Sequence, residues 1–133
     1  MIGAYPVKEK HHVDIVFQGH NHNYQRTYPL SYNVTKQYTP VVTDRNTMHY
    51  QNIENGQLFL TAGTGGAEFY NFTGQAPYVV KQLLQHGFVN VDSIHNGSEL
   101  RITFYDNNGM LEMVSPFLKT NFFNNDFLQF IGD

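Results

Sequence analysis

The sequence predicts a strand-dominated α/β fold, and three observations predict it. The 133 residues include nine Tyr and eleven Phe but no Trp, and aromatic side chains favour strands. Val13, Ile15, Val16 and Phe17 form a short apolar run bounded by turn residues, which is how a strand covered on both faces reads. From Phe88 to Val114, apolar positions recur between the turn signals Asn96-Gly97 and Asn107-Asn108-Gly109, the pattern of an antiparallel meander with one buried face.

The first strand breaks at Gly19 into a polar loop that carries His20 and His22, with Tyr24 and Arg26 just behind. A buried strand that delivers its chemistry at its carboxyl end is the usual layout of an α/β site. Two imidazoles one residue apart can place two rings from one loop on one ion, or on two neighbouring ions. His11 and His12 stand at the opposite end of that strand and read as solvated surface residues. Residues 30–56 show no periodicity. They read either as a wall of a substrate cleft or as a surface excursion with a short hairpin, with Asn55-Gly56 as a turn signal and His49 on the surface. Gln57 to Ala62 is a second apolar strand, ending in Gly63-Thr64-Gly65-Gly66, where glycine lets another backbone approach closely. This segment lacks the Lys of a nucleotide P-loop. Residues 77–86 read as one helical piece, because Val79, Val80, Leu83 and Leu84 recur at helical spacing behind a tolerated Pro77. The meander follows as three strands: Phe88, Val89, Val91 and Ile94; Leu100, Ile102 and Phe104; Met110, Leu111, Met113 and Val114. The tail from Asn121 to Ile131 pairs Phe with Asn and reads as a segment that docks its aromatics either on the domain or on a part outside this chain.

Composition narrows the chemistry. Charged residues make up 14% of the chain, the formal net charge is −3, and no basic run occurs, so nucleic acid is not the expected partner. There is no Cys. Any metal is therefore held by His, carboxylate or amide oxygen. No apolar run approaches the roughly 20 residues that span a bilayer, and the first ten residues lack a signal-peptide core of about 7–15 apolar residues. The sequons at Asn33, Asn71 and Asn96 weakly favour a secreted or extracytoplasmic location.

Gly19-His20-Asn21-His22-Asn23-Tyr24-Gln25-Arg26 resembles the last metal-binding motif of the calcineurin-like metallophosphoesterases. With Thr27-Tyr28-Pro29 after it, and Gly63-Thr64-Gly65-Gly66-Ala67 later, it is most similar to the purple acid phosphatase branch. The resemblance runs from about Val13 to Val114 and covers the carboxyl-terminal portion of that family's catalytic domain. The family's earlier motifs (Asp-x-His, a Gly-Asp, Gly-Asn-His and a further single His) are not found here. The implied fold is a β-sandwich flanked by helices, this chain being its strand-rich second half, with residues 7–12 as the last turn of a preceding helix. The expected layout is residues 12–28 for the first strand and histidine loop, 29–56 for a long loop, 57–120 for the strand-rich remainder with its terminal meander, and 121–133 for a tail.

The resemblance also implies a function. His20 would bind one ion of a dinuclear pair (Fe, Zn or Mn) and His22 the other, and a metal-bound hydroxide would attack the phosphorus of a phosphate ester. Asn21, Tyr24 and Arg26 are the candidates for substrate contact or for bracing the ligands. Asn21 and Gln25 depart from the commoner wording of the motif, in which a small apolar residue and a carboxylate are frequent at these positions. Two imidazoles cannot hold two ions without carboxylates, so the expected activity belongs to a longer protein that contributes the amino-terminal half of the domain. The alternative is a non-catalytic β-rich binding module, or a truncated product, derived from the phosphoesterase scaffold.

Overall fold

The opening apolar run is buried on both faces because it becomes the middle of a sheet that is covered on both sides. A computed structural model describes residue 11, residues 13–51 and 56–118, and the backbone of residues 128–131. The run forms β1 (Ile15–Gln18). After it come β2 (Tyr24–Thr27), β3 (Leu30–Ser31), β4 (Val41–Val42), β5 (His49–Tyr50), β6 (Leu58–Ala62), β7 (Val79–Leu83), β8 (Phe88–Ile94), β9 (Glu99–Asp106), β10 (Gly109–Pro116) and β11 (Leu128–Ile131). One sheet has the order β11-β1-β6-β2-β7, a second has β5-β10-β9-β8, and β3 and β4 form a small hairpin. In the first sheet β11, β1 and β6 are parallel, while β2 is antiparallel to both β6 and β7.

The two larger sheets pack face to face as a strand-rich sandwich. Alternation in each strand sends every second residue inward. Ile15, Phe17, Tyr24, Leu58 and Leu60 of the first sheet meet Tyr50, Leu100, Ile102, Phe104 and Val114 of the second. The Tyr24 ring stacks on Phe104 at 4.4 Å. On the outer face of the first sheet, Val16 and Phe59 pack with Val13 and Leu30 under Tyr28, Tyr32, Val42 and Tyr78. Fully burying one such aliphatic or aromatic side chain contributes about 1.5–3 kcal/mol.

Several sequence-based expectations need correction. Residues 77–86 are not helical. Val79–Leu83 is β7, paired along β2 with Tyr24 opposite Leu83 and Gln25 opposite Gln82. Adjacent β-branched Val79 and Val80 suit a pleated strand, and Gly87 follows the segment as a point of close approach: a Cβ there would lie 2.1 Å from the Tyr105 carbonyl oxygen. Within residues 29–56 the short hairpin is present as β3–β4, β5 follows it, and Tyr50 is fully buried. In the meander the three strands stand, but Met110 and Leu111 are exposed. The β9–β10 register shifts between Met110 and Glu112, which pairs Glu112 with the inward-facing Phe104. Among the described residues there is no α-helix, only a 3-10 turn at His95–Gly97. It carries the tight connection of the β8–β9 hairpin, with Asn96 and Gly97 at positive φ. The expected helical turn at residues 7–12 lies outside the described residues except for His11. Asn55 and the first part of the tail also lie outside them. The backbone of residues 128–131 is a parallel partner of β1.

The inward position that the register shift gives to Glu112 is matched across the sandwich by Arg26 of β2. Arg26 is 2% exposed. Its Nε and Nη2 donate to Glu112 Oε1 at 2.8 and 2.5 Å, Nη1 donates to the Tyr50 hydroxyl at 2.8 Å, and Nη2 donates to the Thr47 carbonyl at 2.7 Å. Burial is the largest single influence and would lower the guanidinium pKa, but the Glu112 carboxylate and the Tyr50 and Tyr24 hydroxyls together hold the group above its ordinary value. This one cluster ties β2 of the first sheet to β5 and β10 of the second.

Breaking a buried ion pair by removing one partner strands the other charge and costs about 3–5 kcal/mol. Glu112→Gln is therefore expected to lower the unfolding free energy by roughly that amount in urea titration, and Arg26→Met/Glu112→Met to recover most of it. A Glu112→Gln chain within about 0.5 kcal/mol of the parent would show that the pair does not hold the sheets together.

Candidate metal centre at the histidine loop

Strand order dictates where the histidines go. β6 lies between β1 and β2, so the chain leaving β1 must cross the carboxyl end of β6 to start β2. Residues 19–23 make that crossing in two successive three-residue turns. The Asn21 amide donates to the Gly19 carbonyl at 2.9 Å, and the Asn23 amide donates to the Asn21 carbonyl at 2.8 Å. His20 sits at φ 68°, a left-handed conformation uncommon for a residue with a Cβ. The crossing is close. A Cβ on Gly63, just past the end of β6, would lie 2.0 Å from the Asn21 carbonyl oxygen and 2.8 Å from its carbon. Only glycine fits, and its amide donates to the Asn23 carbonyl at 3.1 Å.

The loop therefore stands over the carboxyl ends of β1 and β6, with its imidazoles at the rim of the sheet. His22 is half-buried. Its Nδ1 is 2.8 Å from the Glu68 carbonyl oxygen, and its ring stacks on Tyr70 at 4.2 Å and 14°. The Tyr70 amide donates to the His22 carbonyl at 3.1 Å. A carbonyl only accepts, so Nδ1 carries the proton, and in the neutral ring Nε2 keeps its lone pair. Metal-binding histidines commonly show this arrangement, with one nitrogen tied to a carbonyl and the other left to coordinate. His20 and Asn21 are exposed. Among the described residues no group of three or more His, Cys, Asp or Glu is placed to hold an ion. The donor set thus fits part of a metal centre: it offers imidazole nitrogens and no bridging carboxylate.

Tyr24 and Arg26 lie on β2 rather than in the loop. Both are buried, and the Arg26 donors are engaged by Glu112, Tyr50 and Thr47, so a phosphate in solvent has no access to that guanidinium. Burial, reinforced by the nearby Glu112 carboxylate, pushes the Tyr24 hydroxyl far above the usual phenol range, and burial also raises Tyr50. Beside Gly19 a cleft of about 360 Å³ opens between the sheets, lined by Phe17, Ala62, Gly65, Phe88 and Val89 among others. A larger groove of about 800 Å³ lies on the outer face of the first sheet, over Gln25, Thr27, Phe59 and Gln82. His20 and His22 line neither.

Sequence reasoning did not single out three groups. Glu112 is 86 residues from Arg26, and only the sheet packing brings them together. Tyr70 supplies the ring under His22. His86 holds the same loop: its Nε2 lies 3.0 Å from the Ala67 carbonyl oxygen, and its ring stacks on Phe69 at 4.3 Å. The run Phe69-Tyr70 between a Gly-rich turn and an Asn was the available signal, two aromatics in a loop with no strand to belong to.

No protein-family model matches the chain. Over 93 residues, 69% of its length, the chain is 30% identical to a nucleotide pyrophosphatase/phosphodiesterase of Hordeum vulgare. Over the same length it is 31% identical to an Arabidopsis thaliana protein named probable inactive purple acid phosphatase 1. It spans 23% and 14% of these relatives' lengths. The structure of the purple acid phosphatase PPD1 from yellow lupin superposes with a TM-score of 0.73 over 86% of this chain and 19% of that one, at 24% identity. These matches agree with the branch that the Gly19–Arg26 motif resembles, and the lupin structure has the same fold.

Two outcomes follow from this geometry. Gly63→Ala is expected to destabilise the chain by about 1–3 kcal/mol, as overpacking does, and to move the amide signals of residues 20–23 more than those of the meander. An unchanged histidine-loop spectrum would refute the close crossing. In alkaline titration, a phenol whose folded pKa is raised contributes stability that is complete below its unfolded value of about 10 and is lost as pH rises through the folded value. Tyr24 and Tyr50 are therefore expected to ionise only together with unfolding, read as phenolate absorbance rising in step with loss of circular dichroism. Full phenolate absorbance in a still-folded chain would contradict this.

Proposed function

From a chain that is purple acid phosphatase-like in sequence and in fold, we propose that it supplies the two-histidine side of a dinuclear metal centre that hydrolyses phosphate esters in a longer polypeptide. The observation that supports this reading best is the His22 ring, tied through Nδ1 to the Glu68 carbonyl at 2.8 Å and left with Nε2 as a donor. In this reading His20 would hold one ion and His22, through Nε2, the other, with Fe, Zn or Mn as the metals. Bound there, the ions supply Lewis acidity for attack on phosphorus. The chain's own residues hold and orient. Gly63 fixes the height of the loop over β6, Tyr70 and Glu68 fix the His22 ring, and the exposed Asn21 offers a side-chain donor on the substrate side. Two neutral imidazoles would not offset the charge of a pair of neighbouring cations. The remaining ligands, carboxylates included, then come from outside this chain, and the chain alone is inactive. The location of the whole protein in this reading is secreted or extracytoplasmic.

A second reading, a non-catalytic module built on the same scaffold, draws support from the 31%-identical relative named a probable inactive purple acid phosphatase. One experiment separates them: hydrolysis of an aryl phosphate monoester with added Zn²⁺, Mn²⁺ or Fe³⁺, with bound metal counted in the same sample. The expected result is no turnover and a single weakly held ion, which is lost in His20→Ala/His22→Ala. No ion in the parent chain favours the non-catalytic module. Metal-dependent turnover by the chain alone would overturn the shared-site reading.

A further inference from the structure

The first sheet carries a polar row on the face turned away from the sandwich core. Gln18, Thr61, Gln25 and Gln82 are register neighbours across β1, β6, β2 and β7. On β1 the row begins with Gln18 Nε2 donating to Thr61 Oγ1 at 3.0 Å. On β2 and β7 it becomes a continuous chain of amides. Gln82 Nε2 donates to the Gly74 carbonyl at 2.9 Å and to Gln25 Oε1 at 3.0 Å. Gln25 Nε2 donates to Asn23 Oδ1 at 3.2 Å, and Asn23 Nδ2 donates to the Tyr70 carbonyl at 3.4 Å. Tyr70 is the residue whose ring stacks on His22 and whose amide holds the His22 carbonyl.

The direction of this chain is fully determined. Both ends are backbone carbonyls, Gly74 and Tyr70, which can only accept. Asn23 must turn its nitrogen to Tyr70, so its oxygen faces Gln25. Gln25 must then turn its nitrogen to Asn23, so its oxygen faces Gln82, and the Gln82 nitrogen spans Gln25 and Gly74. Asn23 is 4% exposed, and a buried amide left without its partner costs more than the bond itself is worth.

We propose that Gln25 is a positioning residue for His22, acting through this amide relay by pinning the Tyr70 segment against the imidazole. The part of the proposal that concerns metal affinity rests on the function proposed above; the part that concerns the ring does not. Gln25 is suited to the task because a carboxamide both accepts and donates. A carboxylate at the same position still accepts from Gln82 but cannot donate to Asn23. Asn23 would then rotate its nitrogen to the carboxylate and present its oxygen to the Tyr70 carbonyl, two acceptors face to face. That contact is lost, and with it one of the braces on the loop that supplies both the Tyr70 ring and the Glu68 carbonyl, the others being the Tyr70 amide on the His22 carbonyl and the His86 contacts. The relay does not follow from the family resemblance, in which a carboxylate is frequent at this position; it belongs to this chain's own Gln25, Gln82 and Asn23.

The test is long-range proton–nitrogen spectroscopy of the histidine rings, at a pH where imidazole is neutral, combined with calorimetric Zn²⁺ titration. Parent, Gln25→Glu and Gln82→Met chains are compared. The parent is expected to hold His22 in the single tautomer protonated at Nδ1. Gln25→Glu is expected to show mixed tautomers and a Zn²⁺ affinity about 10-fold weaker, the usual size of effect when a ligand loses its supporting hydrogen bond. Gln82→Met, which removes only the outer link, shifts both readouts in the same direction by less. A folded Gln25→Glu chain that keeps one tautomer and parental Zn²⁺ affinity overturns the proposal. If Gln25→Glu does not fold, Gln82→Met decides by the same two readouts, and parental values there overturn it. Mixed tautomers in Gln25→Glu, with no Zn²⁺ bound by any of the three chains, would support the relay and remove the metal-site reading.

Discussion

The crossing of residues 19–23 over the end of β6 is the constraint on which the rest of the site depends. Parallel β1 and β6 lie side by side, and β2 lies beyond β6, so the polar loop has one route. That route brings the Asn21 carbonyl to a point that only a Cβ-free residue at position 63 leaves open. Once the crossing is made, the two histidines stand at the carboxyl edge of the sheet, where an α/β architecture ordinarily exposes its chemistry. The Gly63–Tyr70 segment then has only a short distance to run before its carbonyls and rings meet His22.

β2 is the strand that carries this constraint into the body of the protein. Its alternation sends two different polar systems to its two faces. Tyr24 and Arg26 point into the sandwich, where the guanidinium joins the sheets through Glu112, Tyr50 and Thr47. Gln25 points outward and passes hydrogen bonds from Gln82 to Asn23. The inner system fixes β2 relative to the second sheet, and the outer one fixes the loop beside His22 relative to β2. The four consecutive residues after His22, Asn23 to Arg26, thus fix the histidine loop from both faces of β2.

Much of this was legible in the sequence. Glycine followed by His-x-His after a buried apolar run named the loop, because those residue types have few other uses in that order. β1 and β6 were legible as short apolar runs bounded by turn residues, and the meander because its apolar positions recur with a strand's period. The misreadings have physical causes. Val79, Val80, Leu83 and Leu84 satisfy a helical spacing and a strand equally over so few residues, and pairing with β2 decides for the strand. β3, β4 and β5 are two residues each, too short to show any period. Met110 and Leu111 reached the surface because of a register shift that no local pattern announces, and the same shift turned Glu112 inward. The Arg26–Glu112 pair and the amide relay were not legible at all, since each joins residues that only sheet order makes neighbours.

Under the proposed function, His20 and His22 would be imidazole ligands on a shared metal centre. X-ray absorption at the zinc edge of the Zn²⁺-loaded chain tests it most directly. The account predicts nitrogen scatterers at about 2.0–2.1 Å with the outer-shell signature of imidazole rings, diminished in His22→Ala and absent in His20→Ala/His22→Ala. A zinc environment of oxygen scatterers alone, or an imidazole signature that survives the double substitution, would contradict it.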